Sequence, residues 1–178
     1  MEVISTKWLD QNKGDSAAPN YRSRLVGCEF AREKRDDLFA ATLLLESLRA
    51  MLAICASRQG GRHPHRIMVL DVARAYFNAP ASRPVFIKIP AEDRLASDAG
   101  KVAQLNFSFY GTRDAAKNWT ATYTGFLNGI GFKTGEGCSC NFAYGTRQLS
   151  LIVHGDDFTA SGSDADLAWL ETKFVEKF

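Results

Sequence analysis

The sequence predicts an α+β fold: an antiparallel sheet with helices packed on one face. Three observations carry that expectation. Short apolar runs rich in β-branched and aromatic residues are bounded by Gly, Pro and Asp, as strands are. Three other stretches place apolar residues at three- and four-residue steps, as helices do. The two kinds of segment mix without the strict strand–helix alternation of a parallel sheet.

At 178 residues the chain is one domain, or one lobe of something larger, and long enough to bury a core. Its 46% hydrophobic and 24% charged residues are ordinary for a globular protein. No apolar leader core stands near the N-terminus and no run reaches membrane-spanning length, so an intracellular protein without a membrane partner is expected. In that setting Cys28, Cys55, Cys138 and Cys140 are expected to be reduced thiols. A net charge of +2 does not by itself argue for nucleic acid. Residues 156–178 are acidic and the remainder mildly basic, an asymmetry that suits a polyanion steered towards bound metal ions.

Residues 1–37 are polar and irregular, with a turn-like stretch at Asn12–Asn20. Tyr21–Phe30 reads as a strand with Arg22 and Arg24 on one face. Phe39–Arg58 has helical spacing through Leu44, Leu48, Met51, Leu52 and Cys55, and Gly60-Gly61 stops it. Arg58–Arg66 is a basic loop whose His63 and His65, even taken with Cys138 and Cys140, match no zinc spacing.

In Ile67–Asn78 four apolar residues lead straight into Asp71. A carboxylate ending a buried strand is costly unless something binds it, although Asp also serves as a helix N-cap. Val85–Ile89, among Pro80, Pro84 and Pro90, reads as a strand that pairs with Val102–Leu105. Arg113–Ile130 reads as a helix through Ala115, Trp119, Tyr123, Phe126, Leu127 and Ile130, ended by Gly129 or Gly131.

Asn141–Tyr144 is a short strand, and Gln148–Gly162 then reads as a hairpin with Asp156 and Asp157 at its tip and Gly155 allowing the sharp turn. Adjacent carboxylates repel, and a site that holds them together commonly has a cation between them; the plain alternative is a solvated turn. Ser163–Asp166 reads as a capping box, followed by Leu167, Leu170, Phe174 and Phe178 on one helical face.

Three blocks, in order, resemble the reverse transcriptase of Ty1/copia-type retrotransposons. LDVARAYFNA (Leu70–Ala79) is similar to that family's strand with the first catalytic Asp and an Ala-aromatic pair. FYGTRDAAKNW (Phe109–Trp119) is similar to its "LYGLKQAPRAW" helix entry, and LIVHGDDFTASG (Leu151–Gly162) to its "YVDD" hairpin. Thr6–Phe30 is similar to its fingers segment, so the resemblance covers nearly the whole chain. It implies one reverse-transcriptase-like domain, fingers-like over residues 1–64 and 79–112 and palm-like over 65–78 and 113–178, without a thumb.

The resemblance also implies the chemistry: two-metal nucleotidyl transfer from a dNTP to a primer 3′-hydroxyl on an RNA or DNA template, within a longer retrotransposon polyprotein. Asp71, Asp156 and Asp157 would be catalytic and, with the Val72 carbonyl, would hold two Mg²⁺ ions, or Mn²⁺ as a substitute. Arg22 and Arg24 would contact the triphosphate, and Ala75, Tyr76 and Asp114 would lie beside the incoming nucleotide, Tyr76 as the steric gate against a ribose 2′-hydroxyl. The chain departs from the family where Asp114 replaces Gln, Ala116 replaces Pro, His154 replaces the Tyr before the acidic pair and Gly155 replaces the residue between that Tyr and the pair. Asp114 would either repel a triphosphate or cap its helix. Two alternatives remain: a decayed or fragmentary element with the same fold and no activity, and a nucleic-acid-binding domain that uses Arg58–Arg66 without catalysis.

Overall fold

Leu149, Leu151, Ile152 and Val153 put apolar side chains on both sides of one strand, which is stable only if both sides are covered. The computed structural model, which describes residues 3–30, 45–60 and 64–178, covers both. In chain order the elements are β1 (Val3–Ile4), β2 (Thr6–Asn12), β3 (Tyr21–Gly27), α1 (Leu45–Ser57), β4 (Arg66–Asp71), β5 (Pro80–Lys88) and β6 (Val102–Phe107). There follow α2 (Ala115–Gly129), β7 (Lys133–Thr134), β8 (Asn141–Tyr144), β9 (Leu149–His154), β10 (Asp157–Gly162) and α3 (Asp164–Lys177). The mixed α+β class is as the sequence predicts.

The chain divides into two compact units, Met1–Phe39 with Tyr76–Trp119, and Ala40–Ala75 with Thr120–Phe178. In the first, β5 pairs with β1 in parallel and with β6 antiparallel. Ile4, Val85 and Ile87 are buried there against Ala103 and Leu105. The β5–β6 register shifts between Pro80 and Val85, where Pro84 cannot donate a ladder hydrogen bond. β2 and β3 form a separate two-stranded ribbon.

The ribbon's loop is held by side chains. Asn12 Oδ1 accepts from the Gly14 and Asn20 N–H groups at 3.0 and 2.8 Å, and Asp15 Oδ1 from Ala17 and Ala18 at 2.9 and 2.7 Å. The Ala18 and Ala17 bonds pull the Asp15 carboxyl below its ordinary 3.8. The strand expected over Tyr21–Phe30 ends at Gly27, because the next backbone donors turn elsewhere: Cys28 N–H bonds Ser5 at 2.8 Å and Glu29 N–H bonds Gly111 at 3.3 Å.

The second unit is built on one sheet of order β4-β10-β9-β8-β7. Pairing aligns Phe142, Leu151, Val153, Phe158 and Ala160 on one face, each at most 3% exposed. Tyr123 of α2 meets Phe142 and Phe158 edge-on, and Phe174 of α3 meets Phe158 with ring centroids 4.8 Å apart. Burying aliphatic or aromatic side chains of this kind stabilises by about 1.5–3 kcal/mol each.

The expectation of helices on one face is corrected. α1 packs on the opposite side, where Asn141 Nδ2 donates to Ser47 Oγ at 3.0 Å and a cavity of about 440 Å³ is lined by Ala50, Met51, Ile54 and Ile152 among others. Ile152 is the reason, since it points away from Leu151 and Val153 yet is only 5% exposed. The helix expected from Phe39 is described from Leu45 onward, and residues 39–44 lie outside the described residues.

α2 ends after Gly129, with Gly131 N–H bonding Asn128 and Phe132 N–H bonding Leu127. α3 begins at an N-cap Ser163, whose hydroxyl accepts from Asp166 N–H at 3.3 Å and donates to the Asp166 carboxylate at 2.7 Å.

Candidate functional site

Asp71 closes β4 and Asp157 opens β10, and the two are cross-strand partners. Directly opposed residues share a face, with Cβ atoms about 4.5–5.5 Å apart. On the other flank of β10, Asp157 is paired with His154, so Asp71, Asp157 and His154 form a row across three strands. Asp156 lies in the two-residue connection from β9 to β10. Gly155 precedes it at φ +66, the pattern of a type II′ turn, whose first position favours glycine. Val72 N–H donates to the Asp156 carbonyl at 3.3 Å, which ties the end of β4 to that turn. All three aspartates are exposed.

The expectation of a buried strand ending in Asp71 is corrected here. β4 is an edge strand, with Ile67 and Val69 37% and 63% exposed, so the Asp71 carboxylate stays in water. Two carboxylates in cross-strand register, with a third in the adjoining turn, form an all-oxygen donor set. Mg²⁺ suits such a set, because it is usually held by one or two carboxylates and completes its shell from substrate phosphates and water. Among the described residues no group of three or more His, Cys, Asp or Glu is placed to hold a metal by itself. His63 lies outside the described residues, and His65 is buried, its ring 3.5 Å from Arg58 Nη1 and its main-chain carbonyl accepting from Gln59 Nε2 at 2.7 Å.

The remaining candidates, apart from Ala75, belong to the first unit. Arg22 and Arg24 sit two residues apart on β3, opposite Gln11 and Leu9, and both are exposed. Ala75 is 1% exposed and opens a single 3₁₀ turn, Ala75–Asn78, that carries Tyr76. Arg74, before it, has φ +55, uncommon for a residue with a side chain.

Asp114 is 5% exposed, and its main-chain carbonyl accepts the α2 hydrogen bond from Asn118 at 2.9 Å. Its carboxylate faces Arg83, with Nε and Nη2 each 3.2 Å away, and accepts from Ser82 Oγ at 3.3 Å. Arg83 Nη2 also donates to both Glu29 oxygens at 2.7 and 2.8 Å, and Glu29 accepts the Arg113 N–H at 2.8 Å. The charge of Asp114 is therefore met inside the protein. Arg83 and Glu29 carry no sequence signal for this role; Arg83 lies between prolines in a strand and Glu29 in a polar loop.

The family model described as reverse transcriptase (RNA-dependent DNA polymerase) matches residues 1–176. The chain belongs to that family. It is also similar to the retrovirus-related Pol polyprotein from transposon TNT 1-94 of Nicotiana tabacum, at 23% identity over 172 residues. The match takes in 92% of this chain and 13% of the polyprotein, so the chain spans a small part of that relative's length. A transposon relative agrees with the copia-type resemblance of the motifs.

Proposed function

We propose that the chain is the RNA-directed DNA polymerase segment of a copia-type retrotransposon polyprotein. The unit holding β4 and β7–β10 serves as palm, and the unit holding β1–β3, β5 and β6 serves as part of the fingers. The observation that carries this reading is the cross-strand register of Asp71 with Asp157 beside the turn of Asp156. Family membership supports the reaction class.

In this reading Asp71 and Asp156 would hold two Mg²⁺ ions, with Asp157 in support and the Val72 carbonyl as a further ligand. The chemistry such ions would supply there is activation of the primer 3′-oxygen and stabilisation of the triphosphate leaving group. Arg22 and Arg24 offer planar guanidinium groups that match phosphate oxygens two at a time. Tyr76, which follows the buried Ala75, presents a ring that a 2′-hydroxyl would strike, which favours dNTPs. Asp114, paired with Arg83, does not confront the triphosphate as a bare charge, and this weighs against a pocket lost by decay.

Primer extension on an RNA template tests the reading. Asp71→Asn and Asp156→Asn are each expected to lower the rate about a thousandfold or more, since a lost metal ligand removes several kcal/mol of transition-state stabilisation. Chelation of the metal should stop extension altogether. Near-normal extension by either variant would overturn the proposal.

A further inference from the structure

Tyr76 stands on one turn of 3₁₀ helix, an element too short to hold an aromatic ring by its own packing. A second ring lies against it. Tyr110 is 4.7 Å away between centroids, tilted by 46°. Phe77 meets the same Tyr110 edge-on at 5.6 Å and stacks on Phe109 at 5.8 Å, and Phe109 is 8% exposed.

Tyr110 is itself fixed through the backbone. Its carbonyl accepts the Gly27 N–H at 2.7 Å. Gly111, with φ +82, comes so close to Gly27 that a Cβ would overlap the Gly27 carbonyl oxygen. Only glycine satisfies both demands, the left-handed backbone and the main-chain contact. Gly27 is the last residue of β3, the strand that carries Arg22 and Arg24.

We infer that Tyr110 is a positioning residue for Tyr76. The Gly27–Gly111 joint sets the sugar-discriminating ring and the arginine strand from one place. The inference rests on the reading of Tyr76 as the gate. A ring that loses its neighbour samples further rotamers, and the clash with a 2′-hydroxyl becomes intermittent. Discrimination then falls even though Tyr76 is unchanged.

The test uses single-nucleotide incorporation by the whole chain, reading kcat/KM for a dNTP against the matching rNTP. Tyr110→Leu should shift the ratio towards the ribonucleotide roughly two- to tenfold, the worth of one aromatic contact. Tyr110→Phe, which keeps the ring, should stay near the parent ratio. General loosening would lower both rates and leave the ratio in place, which would overturn the inference. So would an equal loss of discrimination in the Phe and Leu variants.

A second readout does not need polymerase activity. With 3-fluorotyrosine at position 76, Tyr110→Leu should shift and broaden the fluorine resonance, while Tyr110→Phe moves it less. An unmoved resonance overturns the inference whatever the enzyme does. If the parent shows no preference for dNTPs, or Tyr76→Ala leaves that preference intact, the gate reading fails. The selectivity role of Tyr110 then fails with it, and the resonance judges the packing alone.

Discussion

Arg83 keeps two carboxylates from facing one another, and its removal is the more damaging change in that network. Arg83→Gln would leave Glu29 and the 5%-exposed Asp114 without their cation, whereas Asp114→Asn leaves Arg83 bound to Glu29. Because the guanidinium is about one-third exposed, solvent screens part of the effect. We expect a cost of about 1–3 kcal/mol for Arg83→Gln and under about 1 kcal/mol for Asp114→Asn. Adding Asp114→Asn to Arg83→Gln should recover part of the loss, and urea unfolding of the three variants checks the order.

His65 makes a second prediction at this scale. Burial, and then the Arg58 guanidinium 3.5 Å from its Nε2, hold its pKa below the ordinary 6.5 against the opposing pull of Asp166. The unfolded chain therefore binds the proton first as pH falls. Stability from this group is full above about 6.5 and is lost below it, levelling off beneath the folded pKa. Thermal unfolding from pH 7.5 to 5 should show a shallower decline for His65→Gln than for the parent.

At the scale of elements, glycine substitutions separate backbone conformation from crowding. Gly155→Ala meets nothing within 4 Å, so only the positive φ is penalised, by about 1–2 kcal/mol. Gly111→Ala meets the same strain and also the Gly27 backbone, so it should cost more than Gly155→Ala in the same unfolding assay.

The contrast shows what local pattern does and does not reveal. The β9–β10 hairpin, α3 with its Ser163 cap, and the β5–β6 pair were legible because each is written in neighbouring residues: a period, a turn, a cap. β2 was not, since most of its side chains face water and leave no apolar alternation. The side of the sheet taken by α1, the neutralisation of Asp114 by Arg83 and the contact of Tyr110 with Tyr76 were hidden for another reason. Each depends on a partner far along the chain that no periodicity names.

Across the molecule, none of the four cysteines is in a disulfide, and they differ in access. Cys55 and Cys140 are buried, and burial first, then the neighbouring Cys138, pushes the Cys140 thiol up to about 11. A thiol reagent at pH 8 should therefore label Cys28 and Cys138 in the folded protein and reach the other two only on unfolding. Early labelling of Cys140 would contradict the packing of β8 and β9. No helix among the described residues is long and apolar enough to cross a membrane.

The two-residue connection at Gly155 and Asp156 also governs which changes of length the gene can accept. Side chains on a strand alternate in direction, so one codon gained or lost at the start of β10 would reverse every residue beyond it, turning Phe158 from the side of the sheet covered by α2 and α3 to the side of α1 and putting Thr159 in its place. A gain of two would restore the direction but carry the acid away from Asp71. Odd changes of length at this spot are therefore excluded by parity and a gain of two by the displaced acid, even where a substitution would be borne.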